Sequence, residues 1–257
     1  MTDRPAAGVV ASAQLTGARE QQEDAMAIHA PVADSGARAG EVLLALADGM
    51  GGHSGGEVAS RLVADSFCAA YAQSRLEIPA ALRSSLDLAN EALAEAVAHE
   101  PSLLGMGSTL VCCVIIAARL YWISVGDSPL WLYRDRLLQR LNADHSMTPL
   151  LDDMVRTGLM NREAARVDPR RNQLRSAVTG RAVAMVDLCA TPLQLQAGDL
   201  VVLGSDGVET LPEDELAGLL QDADIPALDV LAGKVLAGIE AAAARNQDNA
   251  SLILYRC

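Results

Sequence analysis

Apolar residues fall into two rhythms along the chain. Glu41–Ala47 (EVLLALA) reads as a buried strand, closed by the forced turn Asp48-Gly-Met-Gly-Gly. From about Gly56 the spacing turns helical, with Val58, Leu62, Val63, Phe67, Ala70 and Tyr71 on one face. A second helix is predicted over Pro79–His99, its stripe formed by Leu82, Leu86, Ala89, Leu93 and Val97, with Pro79 in its first turn. Four strand-like runs follow at 109–118, 120–125, 130–134 and 137–141. The later ones are separated by tight turns at Gly126–Pro129 and Arg134–Arg136, which predicts an antiparallel meander. Met147–Asp187 reads as an irregular insertion with short helical stretches. The chain then gives a strand at Leu200–Gly204, an alanine-rich helix over Pro226–Ala244 and a last strand at Ser251–Tyr255. Strict strand–helix alternation is absent, which argues against a doubly wound parallel fold. Neither a low-complexity linker nor an internal repeat divides the sequence, so residues 1–257 are expected to form a single domain.

Composition adds exclusions. The hydrophobic fraction is 51% and aromatics are only 3%, so a sizeable core must be built from Ala, Val, Leu and Ile. A net charge of -13 argues against a non-specific nucleic-acid binder. Lys234 is the only lysine; a P-loop is excluded, and a lysine Schiff base is disfavoured. The four histidines form no His-Glu-x-x-His. Five cysteines without a Cys-x-x-Cys pair suit a reducing compartment, and Cys112 and Cys113 read as core residues. The N-terminal stretch has no apolar signal-like region, and the longest apolar run, 110–118, is too short for a bilayer. A cytoplasmic protein without membrane attachment is expected.

The candidate chemistry lies in acids at strand ends. Asp48 (ALADGMGG), Asp206 (VLGSDG) and Asp248 (NQDNASLILY) each sit beside turn-permitting residues, and Glu23-Asp24 (QQEDAMAI) precedes a short apolar run. Singly, each is an ordinary turn aspartate. Brought together they would repel, requiring raised pKa values or bound cations. Oxygen ligands without His or Cys suit Mg²⁺ or Mn²⁺. Gly49 would allow a main-chain carbonyl to approach a metal closely.

In order, the pieces GAREQQEDA (17–25), ALADGMGGHSGGEVAS (45–60), GMGSTL (105–110), ISVGDSPLWLYR (123–134), LNADHS (141–146), RRNQLRSAVTG (170–180), LVVLGSDGVET (200–210) and DNASLIL (248–254) resemble the bacterial metal-dependent Ser/Thr protein phosphatases of type 2C. The resemblance covers about Ser12 to Tyr255. It implies an α+β fold: a four-layer αββα sandwich of two antiparallel sheets flanked by helices, with a flap insertion at about 147–187. It also implies two Mn²⁺ or Mg²⁺ ions at one end of the sandwich. Asp24 and Asp48 would lie between the metals, the Gly49 carbonyl would bind one, Asp206 and Asp248 would complete the site, and Glu23 would orient water. Arg19 stands where the family binds phosphate, and a guanidinium holds two phosphoryl oxygens at once. The implied reaction is hydrolysis of phosphoserine and phosphothreonine by direct attack of a metal-bridging hydroxide, without a covalent intermediate. The implied partners are phosphorylated proteins, among them a Ser/Thr kinase and forkhead-associated proteins, and the chain would act as a monomer. The RNQLRSAVTG stretch further resembles phosphatases of type VI secretion control.

Some positions depart from the family pattern. Gln22 replaces an Asn but remains an amide. Met50 stands where some members have a His proposed as general acid; His53 and His145 are expected to be structural. Ser102 falls where many bacterial relatives carry an acid for a third metal, with Glu100 two residues away, so two metals are expected. The flap segment 156–181 holds seven arginines (156, 162, 166, 170, 171, 175 and 181) against Glu163 and Asp168, a local excess of five positive charges. Either a solvated surface or a docking face for acidic phosphoproteins would account for it. Two rivals remain: a non-catalytic phosphoprotein-binding family member, and a hydrolase of a small phosphoester.

Overall fold

In the computed structural model, residues 9–29, 39–51, 55–221, 227–242 and 246–257 are described. The strands are β1 (Val9–Leu15), β2 (Asp24–His29), β3 (Val42–Met50), β4 (Gly107–Ser108), β5 (Leu110–Ile116), β6 (Arg119–Val125), β7 (Leu130–Arg134), β8 (Leu137–Arg140), β9 (Asp187–Leu188), β10 (Leu193–Gln194), β11 (Leu200–Gly204) and β12 (Ala250–Arg256). The helices are α1 (Gly55–Gln73), α2 (Ile78–His99), α3 (Thr148–Arg156), α4 (Arg162–Arg166), α5 (Glu213–Leu220) and α6 (Leu228–Ala241).

Every strand pairing is antiparallel. One sheet runs β1-β12-β11-β7-β8; the other runs β10-β6-β5-β3-β2, with β4 and β9 added on β3 and β6. The unbroken apolar runs are explained by burial on both faces. In β3, Leu43 and Ala45 pack beneath α1 and α2, whereas Val42, Leu44 and Leu46 point between the sheets. In β11, Leu200 and Val202 meet α5 and α6, and Val201 and Leu203 face the other sheet. Alternation along each strand thus feeds three apolar layers, and the expected αββα sandwich is observed.

The predicted helices and meander are present with small boundary shifts. β1, β2, β9, β10 and α5 were not anticipated, because these segments are short or only half-buried and carry weak periodicity. Val58 does not belong to the buried face of α1; it is 38% exposed, and Ala59 and Ser60 take its place inward. Cys112 and Cys113 are fully buried on opposite faces of β5, and burial pushes both thiols up. Among the described residues no helix is long and apolar enough to cross a membrane.

Candidate active site

Two strand junctions, one from each sheet, meet at one end of the sandwich. In the β2–β3 pair Asp24 lies directly opposite Asp48. In the β11–β12 pair Gly204 lies opposite Leu252, so Asp206 just after β11 and Asp248 just before β12 emerge side by side. The junctions are tied together by side chains. Asp24 Oδ2 accepts hydrogen bonds from Ser205 Oγ at 2.8 Å and Ser251 Oγ at 2.6 Å, both on the opposite sheet. Asn249 Oδ1 accepts from the Glu23 backbone N–H at 2.8 Å, and its amide donates to Thr16 and Gln21 carbonyls. Gln22 Oε1 accepts the Asp24 N–H at 3.0 Å, so the amide shapes this turn.

Two glycines are required by close approach. A Cβ on Gly49 would lie 2.1 Å from the Gly56 carbonyl oxygen and 2.6 Å from that of Glu23. A Cβ on Gly207 would lie 2.0 Å from the Asn249 carbonyl oxygen. Both contacts are with backbone, which cannot yield as a flexible side chain would.

The resulting cleft has two lobes, of about 480 and 530 Å³, that share Asp127, Asn172, Asp206 and Asp248. Arg19, Glu23, Asp48 and Gly49 line the first lobe, so most of the predicted site residues converge there; Asp24 sits behind them, buried on its serine partners. Burial lifts the Asp24 carboxyl to about 6, with Asp206 and Asp248 adding repulsion against the two serine hydrogen bonds. Burial, then Asp206 and Asp24, lifts Asp48 well above the carboxylate range. Asp206 is raised by burial and by Asp248, while a hydrogen bond with the Asp48 carboxyl opposes the shift. Glu23 is raised by burial as well, its carboxyl lying against Gly56 at the start of α1. Arg19 Nη2 donates to Asp248 Oδ2 at 2.6 Å.

Asp127 was missed by the sequence reading. It lines both lobes, and burial with repulsion from Asp206 raises it to about 7. Its signal was available, since Gly126-Asp127 follows an apolar strand just as Asp48 and Asp206 close theirs. Arg140 braces this wall, donating to Glu209 Oε1 at 3.1 Å and to the Asp127 carbonyl. His145 is buried, its Nδ1 accepts the Gly126 N–H at 3.2 Å and burial lowers its pKa, a structural role as expected. His53 lies outside the described residues. Neither Ser102 nor Glu100 lines the cleft; they bond to each other at 2.8 Å in a short turn after α2.

The donor set fits hard divalent cations. The acids concentrate negative charge in one cleft, and among the described residues Arg19 is the only base lining the lobe they share. Among the described residues no three acids point at one position as ligands of a single ion. Their oxygens are instead held by Ser205, Ser251, Arg19 and the Asp48–Asp206 contact, so side-chain rotation would accompany binding.

A two-sheet sandwich with helices on both outer faces and a carboxylate cleft at one end defines a class of protein. The chain belongs to the protein phosphatase 2C family, whose model matches residues 20–229. It is 38% identical over 193 residues to the serine/threonine protein phosphatase PstP of Mycobacterium tuberculosis, a match covering 73% of this chain and 35% of that protein. It is 32% identical over 185 residues to the serine/threonine phosphatase stp of Listeria monocytogenes, covering 70% of this chain and 71% of the relative. The chain therefore spans about a third of the mycobacterial relative's length. The crystal structure of PstP superposes with a TM-score of 0.80 at 29% identity, covering 97% of this chain and 98% of that one. The PstP catalytic domain in complex with two manganese ions gives 0.74 at 29% identity, covering 97% of each chain. PppA of Pseudomonas aeruginosa, described as a key regulatory component of T6SS, gives 0.73 at 27%, also covering 97% of each.

Proposed function

We propose that this chain is a single catalytic domain that hydrolyses phosphoserine and phosphothreonine in proteins with the help of two divalent cations. The observation that carries this reading is the meeting of Asp24, Asp48, Asp206 and Asp248 from both sheets beside one guanidinium, Arg19. Asp24, Asp48, Asp206, Asp248 and the Gly49 carbonyl would hold the ions. When bound, the ions supply Lewis-acid chemistry, acidifying water and drawing charge from phosphoryl oxygens. Arg19 would leave Asp248 to grip two phosphoryl oxygens and hold phosphorus in line. Glu23, anchored against Gly56, would accept a proton or hydrogen bond from the attacking water. The manganese-bound PstP domain supports the choice of metal class, without deciding between Mn²⁺ and Mg²⁺.

Phosphorylated proteins are the proposed substrates, a Ser/Thr kinase and forkhead-associated proteins among them, and the enzyme is proposed to work as a cytoplasmic monomer. The likeness to PppA supports a role in type VI secretion control. Phosphate release from a phosphothreonine peptide, in Mn²⁺ and then in EDTA, tests the activity. Release that needs the metal is expected; a folded, metal-loaded protein that releases none would instead leave a phosphoprotein-binding module. Faster turnover of small phosphoesters than of any peptide would favour the metabolite hydrolase.

A further inference from the structure

A second cavity lies outside the cleft. About 590 Å³ opens between α3 and α4, lined by Arg156, Arg162, Arg166 and Arg171 above an apolar floor of Val155 and Ala165. Among the described residues its one acidic lining residue is Asp152, already bound to Arg171 at 3.1 Å. Most of the flap's charge is answered locally. Arg156 pairs with Asp153, Arg166 with Glu163 and Arg170 with Asp168, and Asp152 and Asp153 lie just before the stretch in which the sequence showed an excess. Arg162, like Arg175 and Arg181, has no acidic partner among the described residues, and of these three it alone lines the cavity.

The cavity adjoins the catalytic cleft. Arg171 lines both, and the next residue, Asn172, lines both lobes of the cleft. This connecting segment is held in place, since the Arg171 carbonyl accepts from Thr148 Oγ1 at 3.1 Å and the Gln173 carbonyl accepts from the Met147 N–H at 3.0 Å. A substrate strand leaving the cleft over Asn172 and Arg171 therefore arrives among guanidinium groups.

We propose that the α3–α4 cavity is an anion subsite that receives an acidic or second phosphorylated side chain of the same substrate protein. The proposal rests on the phosphatase reading above. Guanidinium forks suit both phosphate and carboxylate, the apolar floor strengthens the attraction, and the exposed pairs of Arg156 and Arg166 are weak enough to exchange partners. Arg170 does not line the cavity and is no probe of it. Arg162 and Arg166 are exposed and outside the cleft.

The test compares wild type with the double variant Arg162→Ala/Arg166→Ala on three substrates in Mn²⁺. These are a phosphothreonine peptide with neutral neighbours, the same peptide with flanking Glu or a second phosphothreonine, and an aryl phosphate. Wild type is expected to favour the acidic and doubly phosphorylated peptides by about tenfold in kcat/KM, through KM, with the preference falling as salt rises. The double variant is expected to lose that preference and keep its aryl phosphate kinetics. A preference retained by the variant, or an equal loss on all three substrates, overturns the subsite. If wild type hydrolyses none of the three, the phosphatase reading fails, and fluorescence anisotropy of the labelled peptides then decides the subsite separately. Weaker binding of the acidic peptides by the variant alone upholds it, and equal binding overturns it.

Discussion

The cleft and the flap are built from the same charged residue types and put them to opposite use. In the cleft, Asp24, Asp48, Asp127 and Asp206 lose solvent and face one another, and each carboxyl is pushed up. On the flap, Asp168 has a guanidinium of its own: Arg170 grips it at 2.8 Å and holds its carboxyl down at about 2. The contrast separates two kinds of charge. An acid with its own arginine is satisfied and asks nothing of a ligand. Buried acids that outnumber the nearby bases are unstable as ions until a cation arrives, which makes the cleft a binding site and leaves most of the flap a solvated surface.

The sharpest way to break this comparison is to remove one cleft acid and one flap acid. Asp206→Asn is expected to lower metal-dependent phosphate release by more than about 100-fold, while Asp168→Asn leaves it unchanged. Without metal at pH 7, Asp206→Asn should melt higher than wild type, because a repelling carboxylate is gone. Near-normal turnover in that variant would sink the proposed metal role of Asp206. Arg19→Lys comes next. It keeps the charge but loses the fork, so kcat/KM for a phosphopeptide should fall by about tenfold or more while Mn²⁺ affinity, read by calorimetry, changes little.

The pH dependence should also differ in sign between the regions. Asp24 and Asp127 titrate near 6 and 7 in the folded chain against an ordinary aspartate value of 3.8, so the unfolded chain releases these protons first. Their contribution to stability is fully present below about pH 4 and is lost as pH rises toward about 7. The melting temperature of EDTA-treated protein should fall by about 5 °C across that window, and Mn²⁺ at pH 7 should restore it. A flat profile would show that these carboxyls are already compensated. Asp168 works the other way, contributing above pH 4 and losing its contribution as pH falls toward 2. The effect is small because the Arg170 end of the pair is open to solvent. Arg170→Ala should return the Asp168 midpoint, followed by NMR, toward 3.8 with hardly any change in melting temperature.

Much of this molecule was legible in the sequence. The runs of β3, β5, β11 and β12 are apolar without interruption, and burial on both faces is the physical reason. The helical stripes of α1 and α2 placed those helices to within a residue or two. Asp24, Asp48, Asp206 and Asp248 stood out because each joins an apolar run to a turn, a local property that one sequence displays. Tertiary structure alone decided the rest. Asp127 carries the same local signature but is set apart from other turn acids only by the packing that places it across from Asp206. The flap's apparent excess of five charges shrinks to three once Asp152 and Asp153 are counted, and only folding brings Asp152 against Arg171. Charge counted along a chain ignores partners that folding supplies, whereas hydrophobic period is written residue by residue. That is why the layers could be read in advance, and the electrostatics of cleft and flap only once the two sheets had met.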